Sequence, residues 1–422
     1  MNPTPIRCGL SLGVALALAA AASDASAQAG PESCVTCHLA LGDERLTGPA
    51  QQYATDVHAA KGLGCVACHG GDGTAEGPEA MDPAKGFAGA PARSAIPAFC
   101  GRCHANAEFM KRYNPALRVD QLTEYASSVH GQLLRRGDQR VATCTSCHPA
   151  HRIRPPSDPL SSVHPLRVVQ TCGSCHGDSA YMAPYGIPTD QPEKYRQSVH
   201  WEALSVRQDL SAPTCNDCHG NHGAAPPGVS WVGNTCGQCH SVQADLFARS
   251  LHAELFPLMG LPGCVACHGN HDIRRTDDTM LGLDTAAVCT RCHSPDTPSG
   301  EQVRAMRALI DSLRRRIDSA GAMLTRAERA GVEVSQAQFE LESARTALIT
   351  ARAAVHAFAL AAVAKEVEAG LPVTDAALAR GREALDELRF RRTGLAVSVL
   401  IILALITGLV LKIRQLERQG VS

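Results

Sequence analysis

The pattern C-x-x-C-H occurs nine times between residues 34 and 293, and it constrains this 422-residue chain more than any other feature. The cysteine pairs are Cys34 and Cys37, Cys65 and Cys68, Cys100 and Cys103, Cys144 and Cys147, Cys172 and Cys175, Cys215 and Cys218, Cys236 and Cys239, Cys264 and Cys267, and Cys289 and Cys292. Each is followed at once by a histidine: His38, His69, His104, His148, His176, His219, His240, His268 and His293. With 18 histidines in 422 residues, chance puts one at a given position about once in 23. Nine out of nine reflects a chemical requirement.

Two thiols at i and i+3 sit on one side of a helical turn and can add to the two vinyl groups along one porphyrin edge. The next residue then turns its imidazole toward the iron, which is why C-x-x-C-H attaches haem c. A zinc site would join two such pairs into one tetrahedron and has no need of the histidine. A disulfide inside C-x-x-C would be strained and equally indifferent to it. The expectation is nine covalently bound haem c groups. They leave about 29 residues of chain for each haem between Cys34 and His293. With aromatic residues at 4%, the haems themselves are expected to form the core of this region.

Nine histidines lie outside the motifs: His58, His130, His151, His164, His200, His222, His252, His271 and His356. Five end similar tetrapeptides, TDVH (His58), SSVH (His130), SSVH (His164), QSVH (His200) and RSLH (His252), 7 to 15 residues before the next motif. Three follow a motif histidine by three positions, His151, His222 and His271. All eight are candidate second iron ligands. A histidine one helical turn from the motif histidine cannot cross to the other face of the same macrocycle, so it must serve a neighbouring haem. His356, the last histidine, is the candidate for the ninth, with Met110, Met182 and Met259 as competitors and an open iron as the third possibility.

The two ends carry apolar runs. Arg7, the stretch Leu10 to Ala22 and Ala25-Ser26-Ala27 make a secretory signal peptide over residues 1–27, with the nineteenth cysteine, Cys8, inside it. Residues 394–411, GLAVSVLIILALITGLVL, would rise about 27 Å as a helix, near the bilayer's hydrocarbon thickness. Arg389, Arg391 and Arg392 flank one side and Lys412, Arg414 and Arg418 the other. This predicts a transmembrane helix over 393–412 and a cytoplasmic tail over 413–422, with the rest on the periplasmic side of the cytoplasmic membrane. A net charge of −1 gives no basic footprint for nucleic acid.

Between motifs and anchor, cysteine vanishes and Ala, Leu, Arg and Glu dominate. Ser299 with Gln302 predicts a capped helix ending near Arg329, and Ser335 with Gln338 a second running to about Glu368. Gly370-Leu371-Pro372 should stop it, with Thr374 capping a third, because AGVEVS (330–335) and AGLPVT (369–374) look like the same turn. The expected fold is mainly α, with little regular structure in a haem domain over 28–298, then a coiled-coil-like helical hairpin array over 299–392 and one C-terminal transmembrane helix. The array offers a surface for a homo- or hetero-oligomer.

The nine motifs, the SSVH-type histidines and CHGNH together resemble exported multihaem c-type cytochromes, in particular the cytochrome c3-like, NapC/NirT-like and octahaem tetrathionate reductase-like groups. The likeness covers residues 34–293. It implies electron relay through bis-histidine haems between a membrane donor, such as a quinol-oxidising complex, and a periplasmic or extracellular redox partner. The alternative is an oxidoreductase of nitrite, hydroxylamine or tetrathionate working at one open haem. The CxxCK motif typical of pentahaem nitrite reductase is absent, and a C-terminal anchor departs from the N-terminal one usual in NapC-like quinol dehydrogenases.

Overall fold

A computed structural model describes residues 32–226 and 232–420; the leader reading and Cys8 fall outside them. Every regular element among the described residues is helical. Two very different halves result. From residue 32 to 297 the helices are short, and most motifs ride on one: Ser33–Ala40, Cys65–His69, Ile96–His104, Cys144–Cys147, Pro165–His176, Cys215–His219 and Val265–His268 among them. Thr143 and Thr214 cap two of these, each with a partner inside its own motif, Ser146 and Asp217. The apolar cluster in this half is small: Ala203, Leu204 and Ala212, with Leu166 and Trp201 against them.

The other half is three long helices, α1 (Pro298–Arg329), α2 (Ser335–Ala354) and α3 (Leu360–Gln419). Buried residues recur on α1 at 303, 306, 310, 313, 317, 320, 324 and 327, and on α3 at 363, 367, 370, 374, 377, 381 and 384. Alternating steps of three and four are the seam of a coiled coil, and α2 follows the same spacing. Ile310, Leu313, Leu324 and Leu341 are essentially inaccessible to solvent, each worth about 1.5–3 kcal/mol of burial. Gly370 lets α3 close on α1, since a Cβ there would stand 3.0 Å from Leu313.

Three helices were expected, but the second break lies elsewhere. α2 ends at Ala354, residues 355–357 form one tight turn, and Phe358 takes a left-handed φ of 50° before α3 begins. α3 then runs through Gly370-Leu371-Pro372 without stopping. A mid-helix proline costs about 3 kcal/mol, but the seam continues unbroken on both sides of Pro372, and the Thr374 hydroxyl donates to the Leu371 carbonyl at 2.7 Å. AGVEVS remains a true turn, with Gly331 at φ 82°. The caps differ as well: Thr297, not Ser299, accepts from the Gly300 N–H, and Ser335 turns to Glu333 instead of forming a box with Gln338.

The bundle grips the loop between the last two motifs. Asp278 receives both Nε (2.8 Å) and Nη2 (2.7 Å) of Arg352, and Arg307 donates to the Asp278 and Leu281 carbonyls. Beyond the seam α3 continues alone. Among the described residues it is the one helix long and apolar enough to cross a membrane, and its apolar stretch is wholly exposed.

Candidate haem-binding sites

Eight of the nine motif histidines face another imidazole at nearly one separation. Ring centroids lie 5.9 Å apart for His58–His104 and His252–His293, and 6.0 Å for His219–His271. They lie 6.1 Å apart for His69–His151, His130–His176 and His268–His356, and 6.3 Å for His148–His222 and His200–His240. Two imidazoles bound on opposite sides of one metal, each nitrogen about 2 Å from it, have ring centres roughly 6 Å apart. The donor set therefore fits a haem iron between each pair. No group of three His, Cys, Asp or Glu side chains among the described residues converges on one point, so the cysteine pairs do not assemble into zinc tetrahedra. None of the 18 described cysteines is in a disulfide.

The ring nitrogens are prepared for this. Nδ1 of His58 meets Asp56 at 2.7 Å, and Nδ1 of His69, His219 and His356 meets the carbonyls of Gly89 (2.8 Å), Ala225 (3.2 Å) and Ala353 (2.9 Å). An Nδ1–H donated to oxygen leaves the Nε2 lone pair for a metal. Burial alone would raise the Asp56 carboxyl. Hydrogen bonds from the His58 ring, the His58 N–H and the Ile153 N–H outweigh it and hold the group below its usual range. Burial pushes His104, His130, His148, His176, His200, His222, His268 and His271 below the usual imidazole range, and at all of them but His222 a neighbouring histidine adds to the shift. The shift favours the neutral imidazole that a metal ligand requires.

The pairs expose a repeat of two motifs. A histidine ending TDVH, SVH or SLH, at 58, 130, 200 or 252, faces the motif histidine second in line after it, at 104, 176, 240 or 293. A histidine three residues past a motif, at 151, 222 or 271, faces the motif histidine two motifs earlier, at 69, 148 or 219. In CHGNH the glycine makes the exit: Gly220 and Gly269 have φ of 81° and 74° and turn the chain away from its own site. Backbone bonds clip the same segments together, Val57 N–H to Ile153 C=O at 2.8 Å, Val129 to Ala224 at 3.1 Å and Val199 to Ile273 at 2.8 Å. Each acceptor lies two residues past its i+3 histidine. At the same offset from His356 stands Phe358, whose ring lies 3.9 Å from His252. The break between α2 and α3 thus occupies the place that another motif's tail would fill.

Successive motifs are neighbours in space. The Cys100 and Cys144 thiols are close neighbours, as are those of Cys172 and Cys215 and of Cys236 and Cys264. Cys65 lies within electrostatic reach of Cys34, Cys68 of Cys103, Cys147 of Cys175, Cys218 of Cys239 and Cys267 of Cys289. The nine motifs form a row in chain order.

Two histidines stand outside the scheme. Among the described residues, neither His38 nor His164 faces an imidazole. In three of the four paired segments a serine two positions before the histidine caps a helix, with Ser128, Ser198 and Ser250 accepting from Gly131, Trp201 and Ala253. Pro165, at the first helical position, moves the start of the next helix so that His164 itself becomes the cap. Its Nδ1 accepts from the Leu166 N–H at 3.3 Å, so a neutral ring carries its proton on Nε2 and has no nitrogen left for a metal. His356, the candidate for the haem that the other eight histidines leave unsupplied, faces His268 of the eighth motif. Met259 is exposed.

Residues 57–177 match the family model described as Cytochrome c3. The match opens beside His58 and closes just after His176, taking in the first two dihaem units. The chain is 26% identical over 239 residues to the C-type polyheme cytochrome OmcB of Geobacter sulfurreducens, covering 51% of this chain and 26% of that protein. It is 25% identical over 219 residues to the C-type polyheme cytochrome OmcC of the same species, covering 46% and 26%. The chain thus spans about a quarter of the length of these relatives. No solved structure matches. With C-x-x-C-H motifs set in a row, facing imidazoles spaced for iron, and likeness to polyhaem cytochromes on both counts, the chain is a multihaem c-type cytochrome.

Proposed function

We propose that this chain holds nine haem c groups in chain order and relays electrons along them, between a donor in the membrane and a periplasmic or extracellular redox partner. The observation that carries the reading is the set of eight imidazole pairs about 6 Å apart on motifs that touch their neighbours in sequence order. Haem c supplies a one-electron Fe(III)/Fe(II) couple. The residues do the rest. The eight imidazole pairs would hold their irons from both sides and leave no place there for a substrate, and the stitching of each unit to the next holds the row together. Residues 1–27 direct export in this reading, and 394–411 anchor the chain.

α3 sets the distance between the haem sites and the anchor. From Leu360 to Thr393 it rises roughly 50 Å, at about 1.5 Å per residue. The bundle is then a stalk that lifts the eighth and ninth sites clear of the bilayer, so a membrane donor must project outward to reach them.

The test is a chain ended after Thr393. It is expected in the soluble fraction with nine haems per chain by pyridine haemochrome assay, while the full chain sediments with membranes. A soluble full-length chain would sink the anchor, and a count below nine would sink the row.

A further inference from the structure

The first motif differs from the other eight. Among the described residues His38 faces no imidazole, while every other motif histidine does. The one histidine left over, His164, is buried and spends its Nδ1 as the acceptor for the Leu166 N–H. The repeat explains the shortfall. Cys34 stands to Cys65 as Cys100 stands to Cys144, so the first motif has the place of a second member of a dihaem unit. In the four complete units that member's facing imidazole comes from the segment ahead of the preceding motif. For the first motif this segment would lie before Cys34, and residues 1–33 contain no histidine. The register also accounts for Asp72, which takes the i+3 position after His69 where later units have His151, His222 and His271. It pairs with Lys85 at 2.9 Å and with Thr74, and does the work of a loop residue. The site lies toward solvent: Thr36, Cys37, Leu39 and Ala40 are exposed.

We infer that the haem held by Cys34, Cys37 and His38 has a single protein imidazole and binds a small exogenous ligand, a diatomic molecule or small anion, opposite His38. This rests on the bis-histidine reading of the other eight sites and gives the row one reactive end. Carbon monoxide is the probe, titrated into the reduced holoprotein and followed in the Soret band. One CO per chain is expected. The double variant Cys34→Ser/Cys37→Ser should carry eight haems by mass and bind no CO. His164→Ala should leave both haem count and CO stoichiometry as they were.

An unmodified chain that binds no CO overturns the inference while leaving the relay intact, and so does CO binding that persists after the first attachment site is removed. An increase by one CO in His164→Ala would place His164 on an iron, which also overturns it. Two or more CO per chain that survive loss of the first site would instead defeat the bis-histidine reading itself.

Discussion

A chain made without covalent haem attachment is expected to keep its helical bundle and lose the order of residues 32–297. Every buried residue of the larger apolar cluster except Leu281 lies within residues 303–384. The smaller one has three buried members in the half that carries the motifs. Fixing each residue's backbone costs about 1–2 kcal/mol of conformational entropy, and so small a cluster cannot offset it over this length of chain. The serines at 128, 198 and 250 and the facing imidazoles are arranged around the haem positions, so without haem they organise nothing. Limited proteolysis of chain produced without haem maturation should digest residues 32–297 and leave a resistant fragment covering α1, α2 and the seam of α3. Far-ultraviolet circular dichroism should retain the helical signal of that fragment. Equal resistance in both halves would show that the polypeptide folds without the haems.

Replacing His356 by alanine should have the second largest effect. Its ring faces His268 at 6.1 Å, and its Nδ1 meets the Ala353 carbonyl. It sits in the break between α2 and α3, outside the coiled-coil seam, so the bundle should fold normally. One haem in nine should pass from low-spin to high-spin. Binding of CO should rise from one to two per chain. The neighbouring Phe358–His252 contact and the Gln302 bond to the Phe358 carbonyl (3.2 Å) should keep the break in place. An unchanged spectrum would remove His356 from the ligand set and leave the eighth site without its second imidazole.

The haem chemistry was legible because attachment is covalent and local: five consecutive residues carry it, and no tertiary context can move them. The bundle was legible in outline for a similar reason, since its helices follow a local period. The position of its second break was not. Gly370 and Pro372 read as a stop, yet the buried positions from 363 to 384 keep one heptad register through them. Counting that register would have carried the helix across and left residues 355–359 as the turn.

The pairing of ligands lay further out of reach, because a facing imidazole arrives from one or two motifs away. One signal was present. The i+3 histidine occurs at the fourth, sixth and eighth motifs only, which already marks a period of two. His164 was misleading since its tetrapeptide SSVH is identical to that ending at His130. The difference is the following residue, Pro165, which shifts a helix start and sets His164 at the cap.

Electron paramagnetic resonance of the fully oxidised holoprotein, with spins counted against total iron, tests the central claim most directly. Eight paired imidazoles and one unpaired His38 predict eight low-spin irons and one high-spin iron per chain. Two or more high-spin irons would contradict it.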